Sequence, residues 1–377
     1  MAVHLVGAAR RSNHSRMRLR RASILGALAV LLLAACSGGG SEPVSSDSAN
    51  GGGADATSSQ TPSATVAAAP LLPGVIVFRR YADTSETDGS LYAISSDGSN
   101  EQQLTQPLTS TVDDEPSWSP DGTRLVFTRR TKVGTHSEQM RLFTVSADGS
   151  KLTQVSPAHD TGADAVISGD NAAAFSPDGK LIAFGNYHGR ETDGEIQFSN
   201  IMVMNADGTQ RRQITDSSAY SGDDGGVAWS PDGTQLVYAR SNAGTFAPIG
   251  GRALFIINVD GSHEHRLTPW SLGAGGTPDW SAATNQIVFR AVDDEESGIG
   301  NFYTIRPDGT GLNKITHFTN TVISHKVGFS PDGKWIVFAK EATNGVNDIF
   351  IARASGAHVS AVTNTPLADS APTWGPR

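Results

Sequence analysis

The sequence predicts an all-β fold, a closed ring of six four-stranded antiparallel sheets, and three observations carry that expectation. An aromatic-Ser-Pro-Asp-Gly segment followed by a β-rich run recurs along the chain. An Asp-Gly turn between alternating strands recurs in step with it. The chain also enters and leaves this pattern out of phase, so that its two ends complete one another. The period is about 51 residues from Gly74 onward, within the range of β-propeller blades.

The first half of the repeat reads Trp118-Ser119-Pro120-Asp121-Gly122, and Phe175, Trp229 and Phe329 open the same five residues. Trp280 opens a degenerate copy, Ser281-Ala282-Ala283-Thr284. A second aromatic follows at constant spacing in all five: Phe127, Phe184, Tyr238, Phe289 and Phe338. Proline presets φ for the second turn position, aspartate bonds the local backbone, and glycine takes the left-handed conformation. The second half of each unit turns at Asp97-Gly98, Asp148-Gly149, Asp207-Gly208, Asp260-Gly261, Asp308-Gly309 and, degenerate, Ser355-Gly356, and closes on Leu/Ile/Val-Thr/Ser. Each unit thus reads as strands A to D from the axis outward, with the two aromatics packed between neighbouring blades. Residues 74–78 form a B strand without an A strand before it, and residues 372–377 an A strand without a B strand after it. Pairing these ends closes the ring and removes exposed sheet edges.

With its aromatic-Ser-Pro-Asp-Gly repeats the chain resembles the TolB-type six-bladed propellers, and the tricorn-like and prolyl-peptidase propeller domains that share the repeat. The resemblance covers residues 74–377, without the α/β domain that precedes the propeller in TolB itself. It implies architecture and not a particular activity, because one fold hosts many functions.

The N-terminus reads as an address. Residues 1–35 carry six Arg and no acid, and an apolar run reaches from Ala22 to Ala35. A basic segment before a short apolar one is a secretory signal, and about 14 residues are too few to span a bilayer as a helix. Leu33-Ala34-Ala35-Cys36 resembles a bacterial lipobox, whose cysteine thiol takes the lipid after cleavage, and Cys36 is the single cysteine. Met17 is an alternative start to Met1. Residues 37–73, rich in Gly, Ser, Ala and Thr, read as a flexible tether. The expected location is therefore outside the cytoplasm, lipid-anchored to the outer face of the cytoplasmic membrane or to an outer membrane.

Composition narrows the function classes. One cysteine excludes a disulfide scaffold. Six of the 29 basic residues precede Cys36 and none of the 38 acidic ones does, so the exported chain carries a net −15 rather than −9. Such acidity argues against nucleic-acid binding, which needs a basic surface.

The A–B and C–D turns are short and uniform and share one face of the ring. The B–C and D–A connections, such as 81–90, 157–170, 186–199 and 240–252, occupy the other face and vary. Binding belongs on such variable loops over a rigid scaffold. Five residues before the strand-A aromatic stand Asp113, Asp170, Asp224 and Asp369, with Gly275 and Ser324 in the other two blades. Carboxylates ringing a channel mouth would hold Ca²⁺ or a cationic partner segment. A hairpin turning on Pro120-Asp121, however, sets Asp113 opposite Arg129. The same offset sets Asp224 opposite Arg240 and Asp369 opposite Arg80, whereas Asp170 meets only Asn186. The pattern favours structural ion pairs.

Catalytic motifs are sparse. No Gly-x-Ser-x-Gly elbow occurs, and no nucleotide loop or EF-hand loop. His263-Glu264-His265 follows an Asp-Gly turn, where strand alternation would put both histidines on one side without a third ligand nearby in sequence. His188, His325 and His358 would converge only through the fold. The leading expectation is a non-catalytic, monomeric, lipid-anchored propeller without a cofactor. It would bind a protein, peptide or glycan partner through its variable-loop face. The alternatives are an extracytoplasmic metal-dependent lyase or hydrolase with its site at the channel mouth, and a structural envelope component.

Overall fold

The computed structural model describes residues 69–133, 137–157, 167–188, 198–216, 223–241, 251–294, 299–342 and 344–376. They fall in one compact unit, Ser63–Arg377. Cys36, the signal segment and the tether as far as residue 68 lie outside the described residues, as do parts of loops 157–170, 186–199 and 240–252.

The strands are short, alternating and punctuated by the repeated turns, and they pair in groups of four. β1 (Val75–Tyr81), β2 (Gly89–Ile94) and β3 (Gln102–Gln103) run antiparallel in sequence order. β4 (Thr111–Trp118), β5 (Arg124–Val133), β6 (Ser137–Ser146) and β7 (Thr153–Gln154) make the second sheet. β8 (Ile167–Phe175), β9 (Leu181–His188), β10 (Phe198–Asn205) and β11 (Arg212–Gln213) make the third. β12 (Asp223–Trp229), β13 (Gln235–Ser241), β14 (Arg252–Asn258) and β15 (His265–Arg266) make the fourth. β16 (Ala274–Trp280), β17 (Ile287–Asp294), β18 (Ile299–Ile305) and β19 (Asn313–Lys314) make the fifth. β20 (Ile323–Phe329), β21 (Trp335–Glu341), β22 (Asn347–Arg353) and β23 (Ser360–Ala361) make the sixth. Finally β24 (Asp369–Gly375) pairs antiparallel with β1 and supplies the inner strand of the first sheet.

Packing between sheets follows from the aromatic repeat. The second aromatics, Phe78, Phe127, Phe184, Tyr238, Phe289 and Phe338, are all fully buried. The described core divides into six apolar clusters, each shared by two neighbouring sheets. One of them joins Phe78 and Trp374 of the first sheet to Trp335, Val337 and Ile351 of the sixth. A ring of six sheets has six such interfaces, whereas an open row would have only five.

The folded part starts earlier than the compositional boundary at residue 73. Ala69 is buried in the cluster between the first and sixth sheets, and Leu72 packs against it. The Leu72 N–H donates to Ser96 Oγ at 2.6 Å, and Trp374 Nε1 donates to the Pro73 carbonyl at 3.2 Å. Ala69 and Leu72 supply the apolar contacts by which the segment docks, whereas Leu71 stays exposed.

Two local devices recur. In the A–B turn, Gly122 N–H donates to Ser119 O at 2.9 Å, and Asp121 Oδ1 accepts from Ser119 Oγ and Thr123 Oγ1 at 2.6 and 2.9 Å. In the degenerate fifth copy the left-handed residue comes one position later, Asn285 at φ 53°, and its N–H donates to Ser281 O at 2.9 Å in a turn one residue wider. At the far edge, the terminal Thr or Ser of each repeat accepts a hydrogen bond from a third-strand N–H. The pairs are Leu91 to Thr105, Leu142 to Ser156, Ile201 to Thr215, Leu254 to Thr268, Phe302 to Thr316 and Ile349 to Thr363. The hydroxyls satisfy N–H groups that the two-residue outer strands are too short to reach.

A bulge in each inner strand sets what faces the axis. Pairing Trp118 with Leu125 and Asp113 with Arg129 requires one unpaired residue on β4 between them. That residue is taken up at Glu115, whose φ is 52°. Ala172, Gly226 and Ala371 hold the same left-handed place in β8, β12 and β24.

Candidate functional site at the channel mouth

The aspartates five residues before the first aromatic are all fully buried. Arg129 donates to Asp113 through Nε and Nη2 at 2.6 and 2.8 Å. Arg240 holds Asp224 at 2.6 and 2.9 Å, and Arg80 holds Asp369 at 2.7 and 2.9 Å. The guanidinium faces rest on Phe143, Phe255 and Tyr92, 4.6, 4.6 and 4.8 Å from the ring centroids. Each arginine is thus held in its plane by a carboxylate and on its face by an aromatic ring, which makes such a buried charge tolerable.

Asp170, which the hairpin offset leaves with Asn186 alone, is not short of a cation. Asn186 Nδ2 donates at 2.6 Å, and Arg211 adds bonds of 2.5 and 2.6 Å from just before β11. Arg211 sits four residues after the turn aspartate Asp207. In the first and fourth sheets that place holds Glu101 and Glu264, which accept further bonds from Arg80 and Arg240. The third sheet has moved its cation from the second strand to the fourth, an exchange across strands that adjacent-strand spacing does not display.

None of the four aspartates lines either of the two cavities described next, and each is engaged by an arginine. Their side chains turn into the sheet toward the second strand, and the bulge brings the following residues to the axis. At the B–C/D–A end a cavity of about 210 Å³ is lined by Glu115, Tyr187, Asp223, Arg252 and His325, among others. At the A–B end a second cavity, of about 440 Å³, is lined by inner-strand residues of all six sheets, including Trp118, Phe175, Trp229, Trp280, Phe329 and Trp374. The first aromatics therefore border the channel as well as packing between blades.

The mouth cavity carries its own polar network. His325 Nε2 donates to Glu115 Oε1 at 2.8 Å, joining the sixth sheet to the second. Ser199 Oγ donates to Asp223 Oδ1 at 2.8 Å, and burial pushes the Asp223 carboxyl up from its ordinary pKa. Burial likewise raises the Tyr187 phenol. Beneath them the buried Lys326 donates to the Pro116 carbonyl at 2.6 Å, and burial lowers its ammonium pKa.

Asp114 gives this network a pH signature. Burial alone would raise its pKa, but Arg79 at 2.5 Å and Arg130 at 3.1 Å outweigh it and hold the carboxyl at about 2. A folded-state pKa below the unfolded value means the stabilisation is complete above pH ~4 and is lost as pH falls toward 2. Asp114→Asn is expected to cost roughly 2 kcal/mol at pH 7 and to flatten the acid limb of the stability curve. Urea unfolding at pH 7, 4 and 2.5 measures both; an acid limb as steep as in the parent would contradict the assignment.

The other sequence candidates separate. His263 has φ 56° and is not extended, and β15 covers only His265–Arg266, so strand alternation does not put the two histidines on one side. Glu264 between them is engaged by Arg240 and by the Tyr238 hydroxyl at 2.6 Å. Of the dispersed histidines, His325 reaches the mouth cavity, His358 is exposed beside the Ser355-Gly356 turn, and the His188 side chain lies outside the described residues. Among the described residues no group of three or more His, Cys, Asp or Glu is placed to hold a metal ion.

Spacing within one repeat misses Glu115, Tyr187, Asp223, Arg252 and His325. Aligning the six inner strands against each other finds two of them. His325 stands where Asp114, Asn171, Gly225, Gly276 and Ser370 stand, and Glu115 aligns with Ala172, Gly226, Thr277, Lys326 and Ala371. Departure from the repeat is the signal.

Ring, pairing and cavity together define an all-β propeller with a polar channel mouth. No protein-family model matches the chain. A TolB homologue from Chlorobium luteolum is 26% identical over 228 residues, covering 59% of this chain and 42% of the relative. The uncharacterized peptidase YuxL of Bacillus subtilis is 27% identical over 146 residues, covering 30% of this chain and 21% of the relative. The chain thus spans less than half the length of these curated relatives. Among solved structures, TolB from Acinetobacter baumannii superposes with a TM-score of 0.59 at 16% identity, covering 81% of this chain and 67% of that one. TolB from Agrobacterium tumefaciens gives 0.52 at 18% identity, covering 81% of this chain and 100% of that one. The chain shares the propeller fold of these TolB structures and is similar in sequence to a TolB homologue.

Proposed function

We propose that this chain is a lipid-anchored, extracytoplasmic binding propeller that recognises a protein, peptide or glycan partner through its B–C/D–A face and the mouth cavity. The observation that carries the reading is the contrast between the two faces. The turns of one face repeat nearly the same hydrogen bonds from blade to blade. The cavity at the other face is lined by residues that differ from blade to blade: Glu115, Asn171, Asp223, Arg252 and His325. A repeated scaffold with dissimilar groups converging on one opening is the arrangement of a recognition site. The basic-apolar signal and Leu33-Ala34-Ala35-Cys36 support export and anchoring. Cross-linking in intact cells is expected to capture a partner that is lost when loop 186–199 or 240–252 is replaced; capture unaffected by both replacements would sink the reading. Cys36→Ser is expected to release the chain as soluble protein, and continued lipid labelling would refute the anchor.

One observation favours an enzymatic reading instead. The Glu115 carboxylate orients the His325 imidazole at the cavity, as a general base requires. Glu115→Gln would then abolish turnover of a bound substrate while sparing its capture.

A further inference from the structure

Two residues break the repeat inside the cavity at the A–B end. Lys326 stands where Glu115, Ala172, Gly226, Thr277 and Ala371 stand in the other inner strands, and Asp279 where Ser117, Ala174, Ala228, Gly328 and Thr373 stand. Both line the cavity of about 440 Å³ whose wall carries the first aromatic of every sheet. Among the described residues that line it, these two alone are ionisable. A cavity of that size takes a small molecule.

The strand pairing brings the two together. β16 and β20 run parallel with Thr277 beside Lys326, and Thr277 lines both cavities, so the lysine lies at the inner end of this one. The Asp279 carboxylate accepts the Phe329 N–H at 2.7 Å. Its Oδ2 lies 3.7 Å from the position a Cβ on Gly328 would take, so a side chain longer than a methyl there would crowd it. Lys326 is only 6% exposed, and it reaches from the sixth sheet to the second to donate to the Pro116 carbonyl. β24 stands between those two sheets, and its aligned residue is the small Ala371. A neutral carbonyl, not a carboxylate, thus holds the nitrogen. Burial lowers the Lys326 ammonium pKa and raises that of the Asp279 carboxyl, each moderated by the other's charge. A desolvated lysine amine beside a cavity is a nucleophile toward carbonyl carbon.

We propose that the A–B cavity is a carbonyl-binding site, in which Lys326 forms an imine with the aldehyde or ketone group of a small apolar molecule. The Lys326 Nζ bonds the carbonyl carbon, and the carbonyl oxygen leaves as water with the two amine protons. Asp279, the other ionisable group on the cavity, carries a proton from the nitrogen to the departing oxygen. The aromatic wall receives the apolar body of the ligand. This site lies at the opposite end of the channel from the mouth cavity and takes a small molecule, so it stands independently of the partner reading.

Reductive trapping with the full chain in detergent tests the site, using 2-naphthaldehyde and sodium cyanoborohydride at pH 7, with mass spectrometry to locate each modified lysine. Lys151, Lys180 and Lys334 are exposed and serve as references within the same chain. Lys326 is expected to be modified about tenfold faster than these, at a rate that saturates as the aldehyde concentration rises. Burial without a carbonyl site predicts the reverse, because a shielded amine reacts more slowly than an exposed one. Trapping no faster at Lys326 than at the references, or a rate that rises without saturation, overturns the site. The comparison is made within the unaltered chain, so it does not depend on a variant folding. Asp279→Asn is expected to slow trapping at Lys326 several-fold and to leave the reference lysines unchanged. An unchanged rate at Lys326 in that variant removes Asp279 from the mechanism.

Discussion

A chain ending at Ala368 is expected to lose its cooperative unfolding transition altogether. The removed strand, β24, is the innermost strand of the first sheet although it comes last in sequence. Its loss takes Trp374 out of the cluster that joins the first and sixth sheets. Removal of such a buried aromatic alone costs about 3–5 kcal/mol. Arg80 loses Asp369 in the same step and is left as a buried cation without its bidentate partner, a further penalty of about 3 kcal/mol or more. β1 becomes an open edge, ready to pair with another chain. Together these terms approach the whole stability of an ordinary domain, about 5–15 kcal/mol. Circular dichroism during heating, with light scattering to detect association, measures the outcome. A truncated chain that melts sharply at the parent temperature would show that the ring does not depend on this strand.

The second large effect belongs to the buried ion pairs. Asp224→Ala removes the bidentate partner of Arg240 in a site where the arginine side chain is only 6% exposed. Breaking one partner of a desolvated pair is expected to cost about 3–5 kcal/mol, far more than an exposed pair would. The double substitution Asp224→Leu with Arg240→Met removes both charges and keeps the volume, and should recover more than half of that loss. Urea denaturation of the parent, the single and the double variant closes the comparison. A single substitution costing under about 1 kcal/mol would mean that water reaches the pair and that the aspartates are not what holds the inner hairpins together.

The architecture was legible because each feature has a short-range cause. Ser119-Pro120-Asp121-Gly122 specifies its turn within four residues, and the aromatic pair Trp118 and Phe127 fixes how far the next strand runs. Asp113, Asp224 and Asp369 could be set opposite their arginines because both partners lie on one hairpin. Arg211 was not legible as the partner of Asp170, since it reaches across from the outer strand of the sheet. The mouth cavity was harder still. Glu115 and His325 are 210 residues apart in sequence, and only closure of the ring brings them within 2.8 Å. The bulge at Glu115 decides which residues face the axis, and neither residue type nor alternation announces it. Arg252 meets Gly275 across two different sheets, so no pairing rule within one hairpin applies to it.

The central claim, that recognition occurs at the mouth cavity and not at the uniform turns, is tested most directly by site-specific photo-cross-linking in intact cells. A photoreactive residue at Ser241 borders the cavity, and one at Thr310 stands on the Asp308-Gly309 turn of the opposite face. The account predicts a discrete cross-linked partner from position 241 and none from position 310. A partner captured from position 310 alone, or equally from both, would contradict it.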